Sequence, residues 1–191
     1  MLFDTLQFKV LEKDDQFLFD CGDPDMNEYF HKDAMLQKEH LIGVTYCFFD
    51  KQNRVAVFFT VNNDSLKLDP DFRNQQPDRK RYSSYPAVKI GRLGVDLLFQ
   101  KQGVGSSCLN VLKYLFTYEN KTACRFLLVD AYNKPEIRQF YYKNGFTLSR
   151  KKDEDNYTKK TVSLKYDLYP YRNAINRECS IKSQALCFSS R

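Results

Sequence analysis

Apolar and polar positions alternate over Leu6–Leu11, a period of two that predicts a first strand. Phe17–Gly22 leads into Asp23-Pro24, a good N-cap followed by a residue suited to the first helical position. Met26, Tyr29, Phe30 and Met35 then predict the inner side of a helix that runs to about Gln37. Gly43–Asp50 and Arg54–Val61, rich in β-branched and aromatic residues around Lys51-Gln52-Asn53, predict an antiparallel hairpin that Asn62-Asn63-Asp64-Ser65 should end. Polar Asp69–Tyr85, with prolines in and beside it, reads as a long loop. Val88, Ile90, Leu93 and Val95 mark the next strand, and Val104, Cys108, Val111, Leu112 and Leu115 recur at helical spacing. Arg125–Ala131 reads as a buried strand. Pro135 opens a short helix with Ile137, Phe140 and Tyr141 on one side, and Asn144-Gly145 stops it. Phe146–Arg150 and Thr161–Asp167 complete the pattern as two strands, giving the order β, α, β, β, loop, β, α, β, α, β, β.

Beyond Tyr169 the periodicity fails. The chain therefore divides into a domain over residues 1–169 and a basic tail over 170–191, where Arg172, Arg177, Lys182 and Arg191 outnumber Glu178. A length of 191 residues suits one domain with a full core. With 42% hydrophobic and 28% charged residues the composition is that of a soluble globular protein. No apolar run approaches a membrane span, and the N-terminus lacks the basic start and apolar core of a signal peptide, so a cytoplasmic protein is expected. The six cysteines form no Cys-x-x-Cys pair, and His31 and His40 lie far from any of their clusters. Reduced thiols are expected rather than a zinc site or any other metal. A net charge of +6 permits nucleic-acid binding and equally suits a basic protein with no such partner.

The chemistry concentrates at Gln100-Lys101-Gln102-Gly103-Val104-Gly105-Ser106, between a strand and a helix. Glycine allows positive φ and close approach of backbone to ligand, and the first N–H groups of a helix have no intrahelical partner. With the helix dipole they form an anion site, to which Lys101 adds a charge. A Walker loop would need lysine after Gly105, where Ser106 stands. A dinucleotide loop would need glycine at Cys108.

Gln100-x-x-Gly103-x-Gly105 fits the pyrophosphate loop of the GCN5-related N-acetyltransferases (GNAT), and over Leu6–Asp167 the element order resembles theirs. Within that superfamily the chain most resembles the acetyltransferase toxins of toxin–antitoxin pairs, which acetylate aminoacyl-tRNA. Four stretches carry this: Phe19-Asp20-Cys21-Gly22 before Met26-Asn27-Glu28-Tyr29-Phe30; Ala56–Val61 with Ser65; Ile90-Gly91-Arg92-Leu93-Gly94-Val95-Asp96; and Phe140-Tyr141-x-x-x-Gly145-Phe146. Gly94 replaces the usual alanine, which should loosen the strand.

The resemblance implies an α/β (α+β) GNAT fold: a central mixed, mostly antiparallel sheet of six to seven strands flanked by helices, with a splayed strand pair at the acetyl-CoA site. It implies that backbone groups of Leu93, Gly94 and Val95 hold the acetyl and pantetheine portion. It further implies that Gln100, Lys101, Gln102, Gly103, Val104, Gly105 and Ser106 hold the pyrophosphate and that Asn133 flanks the cofactor. Tyr141 would be the general acid, with Tyr142 its rival if the register is one residue off. Asp96 reads as a capping acid. Acetyl-CoA is the implied cosubstrate, aminoacyl-tRNA the implied acceptor and a ribbon-helix-helix antitoxin the implied partner, with a homodimer left open. Arg79, Lys80, Arg81 and Arg92 would meet the tRNA backbone; Arg79–Arg81 could equally be a solvated loop. Two other functions stay open at this point: acetylation of a small amine or a protein N-terminus, and a non-catalytic CoA-binding or nucleic-acid-binding module.

Overall fold

The computed structural model describes residues 5–67, 82–150 and 158–174. Seven strands form one sheet in the spatial order β1-β2-β3-β4-β5-β7-β6. They are β1 (Gln7–Val10), β2 (Val44–Phe49), β3 (Val55–Lys67), β4 (Ser84–Val95), β5 (Phe126–Tyr132), β6 (Thr147–Leu148) and β7 (Thr161–Asp167). Every neighbouring pair is antiparallel except β4 with β5. The sequence order of strands and helices is the expected one, and the sheet is mixed and mostly antiparallel.

One face of the sheet carries helix α1 (Pro24–Glu28), a π-helical turn (Tyr29–Asp33) and α2 (Ala34–Glu39), which follow one another without a break. Asp23 caps the start as expected, accepting from the N–H groups of Asp25 and Met26. The extra residue in the π turn keeps Tyr29, Phe30 and Ala34 all buried, so the helix follows its core without exposing an aromatic ring. These residues pack with Phe19, Cys47, Val55 and Phe58. The opposite face carries α3 (Val104–Tyr114) and α4 (Pro135–Lys143) over a larger core that includes Ile90, Cys108, Leu109, Leu112, Leu127, Tyr141 and Leu164.

Four departures from expectation stand out. Asn62–Ser65 do not end the hairpin: β3 runs to Lys67, paired with Ser84–Lys89 of β4. Its far end is held by a small cluster in which Leu66 and Tyr85 are buried with Ala87, Phe126 and Leu128. Consequently β4 begins at Ser84 rather than near Val88 and includes Pro86, whose carbonyl accepts from the Arg125 N–H. The strand expected over Phe146–Arg150 is only Thr147–Leu148, and residues 168–174 are helical where no period was readable.

Gly94 is not a loose point. A Cβ added there would lie 2.6 Å from the Phe58 ring, 3.0 Å from Phe19 and 3.2 Å from Met26 Cγ, so those side chains already occupy the methyl's place. Gly94→Ala is expected to destabilise the fold by about 1–3 kcal/mol through overpacking. Thermal unfolding should register this as a drop of several degrees, and adding Phe58→Leu should recover part of it. An unchanged melting temperature in the single variant would show that the aromatic cluster yields freely.

Four described cysteines, Cys21, Cys47, Cys108 and Cys124, are free thiols. Burial raises the Cys47 thiol to about 12 and that of Cys124 to about 11, which leaves both protonated and unreactive. Among the described residues no helix is long and apolar enough to cross a membrane.

Candidate active site

The site begins with an irregularity in β4. Its ladder with β3 pairs Arg92 with Thr60 and Ile90 with Val61, which leaves Gly91 as an extra residue. Such a bulge bends a strand and strengthens its twist. On the other side, β4 pairs with β5 only over Ala87–Ile90, opposite Phe126–Val129. The last pair therefore lies immediately before the bulge. Beyond it Arg92–Val95 diverge from Asp130–Tyr132, and the β4 edge at Leu93, Gly94 and Val95 is without a β5 partner.

The turn after β4 is tightly braced. Asp96 is 1% exposed and accepts from the N–H groups of Asp20 and Leu98, both at 3.0 Å, and from Arg54 Nη1 at 3.0 Å. The Gln100 amide donates to the Val95 carbonyl at 2.9 Å and the Cys21 carbonyl at 3.0 Å. Lys101 is exposed and has φ 59°, and Gly103, at φ 80°, is the N-cap of α3. Nothing lies within 4 Å of a Cβ built on Gly103, so the loop is open on that side. Gly105 serves packing instead. Its missing Cβ would stand 3.3 Å from the Phe140 ring and 3.5 Å from Val95 Cγ2, which lets α3 seat against α4 and β4. The first N–H groups of α3 thus end in an open loop beside a lysine, the arrangement an anion needs.

Tyr141 faces the core from α4. It is 6% exposed and sits between the rings of Phe140 (5.1 Å) and Phe146 (5.3 Å). Burial, with a smaller contribution from Cys108, pushes its hydroxyl above the usual tyrosine range, so it stays protonated at neutral pH. Tyr142 is 40% exposed, and its hydroxyl accepts from Arg138 Nη2 at 2.9 Å and Nε at 3.2 Å.

On the α1–α2 face a cavity of about 400 Å³ is walled by Tyr29, Thr60, Asn62, Gly91, Arg92 and Asp130, among others. The Tyr29 hydroxyl lies 3.1 Å from both Thr60 Oγ1 and Gln37 Oε1, and Thr60 bonds Thr45 at 2.7 Å. Lys89 is ion-paired with Asp130, which also accepts from Ser163. These contacts hold the Asp130 carboxyl below its ordinary value against an opposing effect of burial. The Arg92 guanidinium lies 4.9 Å over the Tyr29 ring.

Comparison with known proteins places this geometry. No family model matches the chain. A tRNA-acetylating toxin of Mycobacterium tuberculosis is 27% identical over 146 residues, covering 74% of this chain and 83% of that protein. The crystal structure of AtaTR bound with AcCoA superimposes with a TM-score of 0.71 at 19% identity, over 90% of this chain and 99% of that one. AtaT complexed with acetyl-methionyl-tRNAfMet gives 0.68 at 20% identity, over 89% and 99%. The chain has the GNAT fold of these toxins.

In GNAT terms the bulge at Gly91 produces the splayed strand pair, with the glycine loop at its open end. The structure brings Leu93, Gly94 and Val95 to that edge and Gly103–Ser106 to the start of α3. The side chains of three expected cofactor ligands are turned inward. Gln100 braces the turn, Gln102 Nε2 donates to the Leu98 carbonyl at 2.6 Å, and the Ser106 hydroxyl accepts from Asn144 Nδ2 at 3.1 Å. Their backbone, not their side chains, is what the loop presents. Asn133 follows β5, and its side chain joins the Lys159 carbonyl (3.1 Å) to Arg138 (3.4 Å). Arg79, Lys80 and Arg81 lie outside the described residues; Arg92 lies on the cavity wall. Sequence reasoning missed Thr60, Asn62 and Asp130. Asp130 had a signal, being the one acid inside the apolar run Phe126–Ala131.

Proposed function

We propose that the chain is an acetyl-CoA-dependent N-acetyltransferase acting on the α-amine of aminoacyl-tRNA, a cytoplasmic toxin held in check by a ribbon-helix-helix antitoxin. The observation that carries the reading is the coincidence of the β4–β5 gap with the open glycine loop and the buried, protonated Tyr141. The similarity to a tRNA-acetylating toxin over 74% of the chain supports the acceptor.

Acetyl-CoA supplies an activated thioester. The N–H groups of Val104, Gly105 and Ser106 would face its pyrophosphate, with Lys101 alongside. The free β4 edge at Leu93–Val95 would hold the acyl and pantetheine part. A backbone N–H aimed at the thioester oxygen is worth roughly 3–4 kcal/mol in a dry site. The acceptor amine, with a reference value of about 7.7–8.0, is partly neutral at cellular pH without a strong base. Tyr141 holds the proton that the departing thiolate needs. The deciding assay offers labelled acetyl-CoA with total charged tRNA, uncharged tRNA and free amines. Label in uncharged tRNA, or only in free amines, would overturn the acceptor.

The loop makes its own prediction. Gly103→Glu puts a Cβ at positive φ and a carboxylate where the pyrophosphate would lie. Two like charges about 4 Å apart repel by about 4 kcal/mol at an effective dielectric of 20, so acetyl-CoA affinity should fall by a hundredfold or more. Calorimetry alongside a native circular dichroism spectrum tests it. Unchanged binding by the folded variant would remove the anion site from this loop.

A further inference from the structure

We propose that Asn144 is a positioning residue: it ties the start of α3, which would meet the cofactor's pyrophosphate, to the end of α4, which carries Tyr141. The proposal rests on the acetyltransferase reading above and adds a residue to its machinery.

Asn144 follows the last residue of α4, and the helix needs no asparagine to end there. Its φ of −92° and ψ of 13° are open to any residue, and Gly145, at φ 81°, supplies the left-handed step. What asparagine adds is its side chain. Nδ2 donates to the Phe140 carbonyl at 2.8 Å and to Ser106 Oγ at 3.1 Å, so both amide hydrogens are used. The first bond fixes the amide's orientation, because only its nitrogen can face a carbonyl oxygen. The second crosses to the third residue of α3, within the run whose N–H groups form the anion site.

Two further contacts stiffen the tie. The Asn144 carbonyl accepts from Lys113 Nζ at 2.9 Å. Lys113 lies about two turns beyond Ser106 on α3, is 6% exposed and holds its ammonium 4.5 Å over the Tyr166 ring. One helix thus grips Asn144 by its side chain and by its backbone. The Asn144 N–H in turn reaches the Tyr141 carbonyl at 3.0 Å, which the Phe146 N–H also meets at 3.0 Å. A single residue therefore stands between the anion loop and the peptide group of the acid. Acetyl-CoA seated at the start of α3 would have its sulfur fixed relative to that helix, and Asn144 fixes Tyr141 relative to the same helix. Such registration matters because a misplacement of about 1 Å costs on the order of a hundredfold in rate.

Hydrogen exchange reads the coupling without catalysis. In the parent, acetyl-CoA should slow exchange at the Asn144, Gly145 and Phe146 amides by about two- to tenfold, the worth of one hydrogen bond. Asn144→Leu should lose that protection and keep the protection of Val104–Ser106. Ser106→Ala removes the same bond from its other end while keeping the backbone N–H. It should do likewise, which covers an Asn144→Leu chain that does not fold. In turnover, each variant should lower kcat by about ten- to a hundredfold with acetyl-CoA affinity close to the parent's. In the Tyr141→Phe background the same substitutions should cost little more, since the hydroxyl they position is gone. A role confined to ending the helix would lower both backgrounds equally and leave the transmitted protection in place. Acetyl-CoA that protects Val104–Ser106 but never the end of α4 would overturn the tie and leave the acetyltransferase reading standing, as would additive losses in the Tyr141→Phe background. Transmitted protection with full turnover by Tyr141→Phe would uphold the tie and remove the acid from the reading.

Discussion

Tyr141→Phe should lower kcat by about a hundredfold or more while leaving acetyl-CoA affinity within a factor of two, since a positioned general acid contributes roughly 10²–10⁴-fold. The ring packs between Phe140 and Phe146 and is kept by the substitution, so the loss falls on proton delivery alone. A fall in kcat and kcat/KM together, at constant affinity, marks an interaction made only in the transition state. Tyr142→Phe is the control: its hydroxyl is occupied by Arg138, and its loss should cost little turnover. Full activity in Tyr141→Phe with loss in Tyr142→Phe would move the acid by one residue. The pH profile follows with a definite sign. The proposed acid would work protonated, and burial raises the Tyr141 pKa, so an alkaline limb set by it should lie above the ordinary tyrosine value of about 10. The rise near pH 8 belongs to the acceptor amine, which must lose its proton.

The second large effect is on stability. Asp96→Ala should cost about 3–5 kcal/mol, the usual result of removing one member of a buried charge pair. The carboxylate is 1% exposed and its Arg54 partner 30%, and it also satisfies the N–H groups of Asp20 and Leu98. Truncation leaves both donors unpaired and releases the turn that leads to Gly103. Arg54→Ala should cost less, because the two backbone bonds survive. Urea unfolding of both variants decides it; a loss below about 1 kcal/mol for Asp96→Ala would mean that water replaces the carboxylate freely.

The order of elements was readable because each carries its own signal: alternation in β1, β-branched and aromatic runs around a polar turn in the hairpin, helical spacing from Val104 to Leu115, proline and glycine at the ends of α4. What was not readable depends on a neighbouring strand. Asn62–Ser65 are polar and look like a turn, yet the ladder with Ser84–Lys89 keeps them extended. The motif at Gln100 correctly marks the loop, but a spacing rule cannot tell a side chain that meets a ligand from one that ties Val95 to Cys21. Asp130 and Thr60 acquire meaning only from the cavity that four strands and the α1–α2 helical segment build around them. The placement of Tyr141 on the inner side of its helix was readable because its motif includes the Gly145 that follows the helix, at φ 81°.

The bulge has a consequence for chain length. Ile90 faces the α3–α4 core and Arg92 the opposite side, although residues two apart in a regular strand share a face. Gly91 supplies the difference. A chain lacking that one codon would keep every β4 side chain on its present face and leave Ile90 and Arg92 as ordinary neighbours opposite Val61 and Thr60. The register shift that coincides with the end of the β4–β5 ladder would then be gone, and the two strands should pair further. The shortened protein would have the more regular sheet, and the edge at Leu93–Val95, on which the proposed acetyl-CoA site depends, would be open to pairing by β5: one residue of excess length keeps the two strands apart.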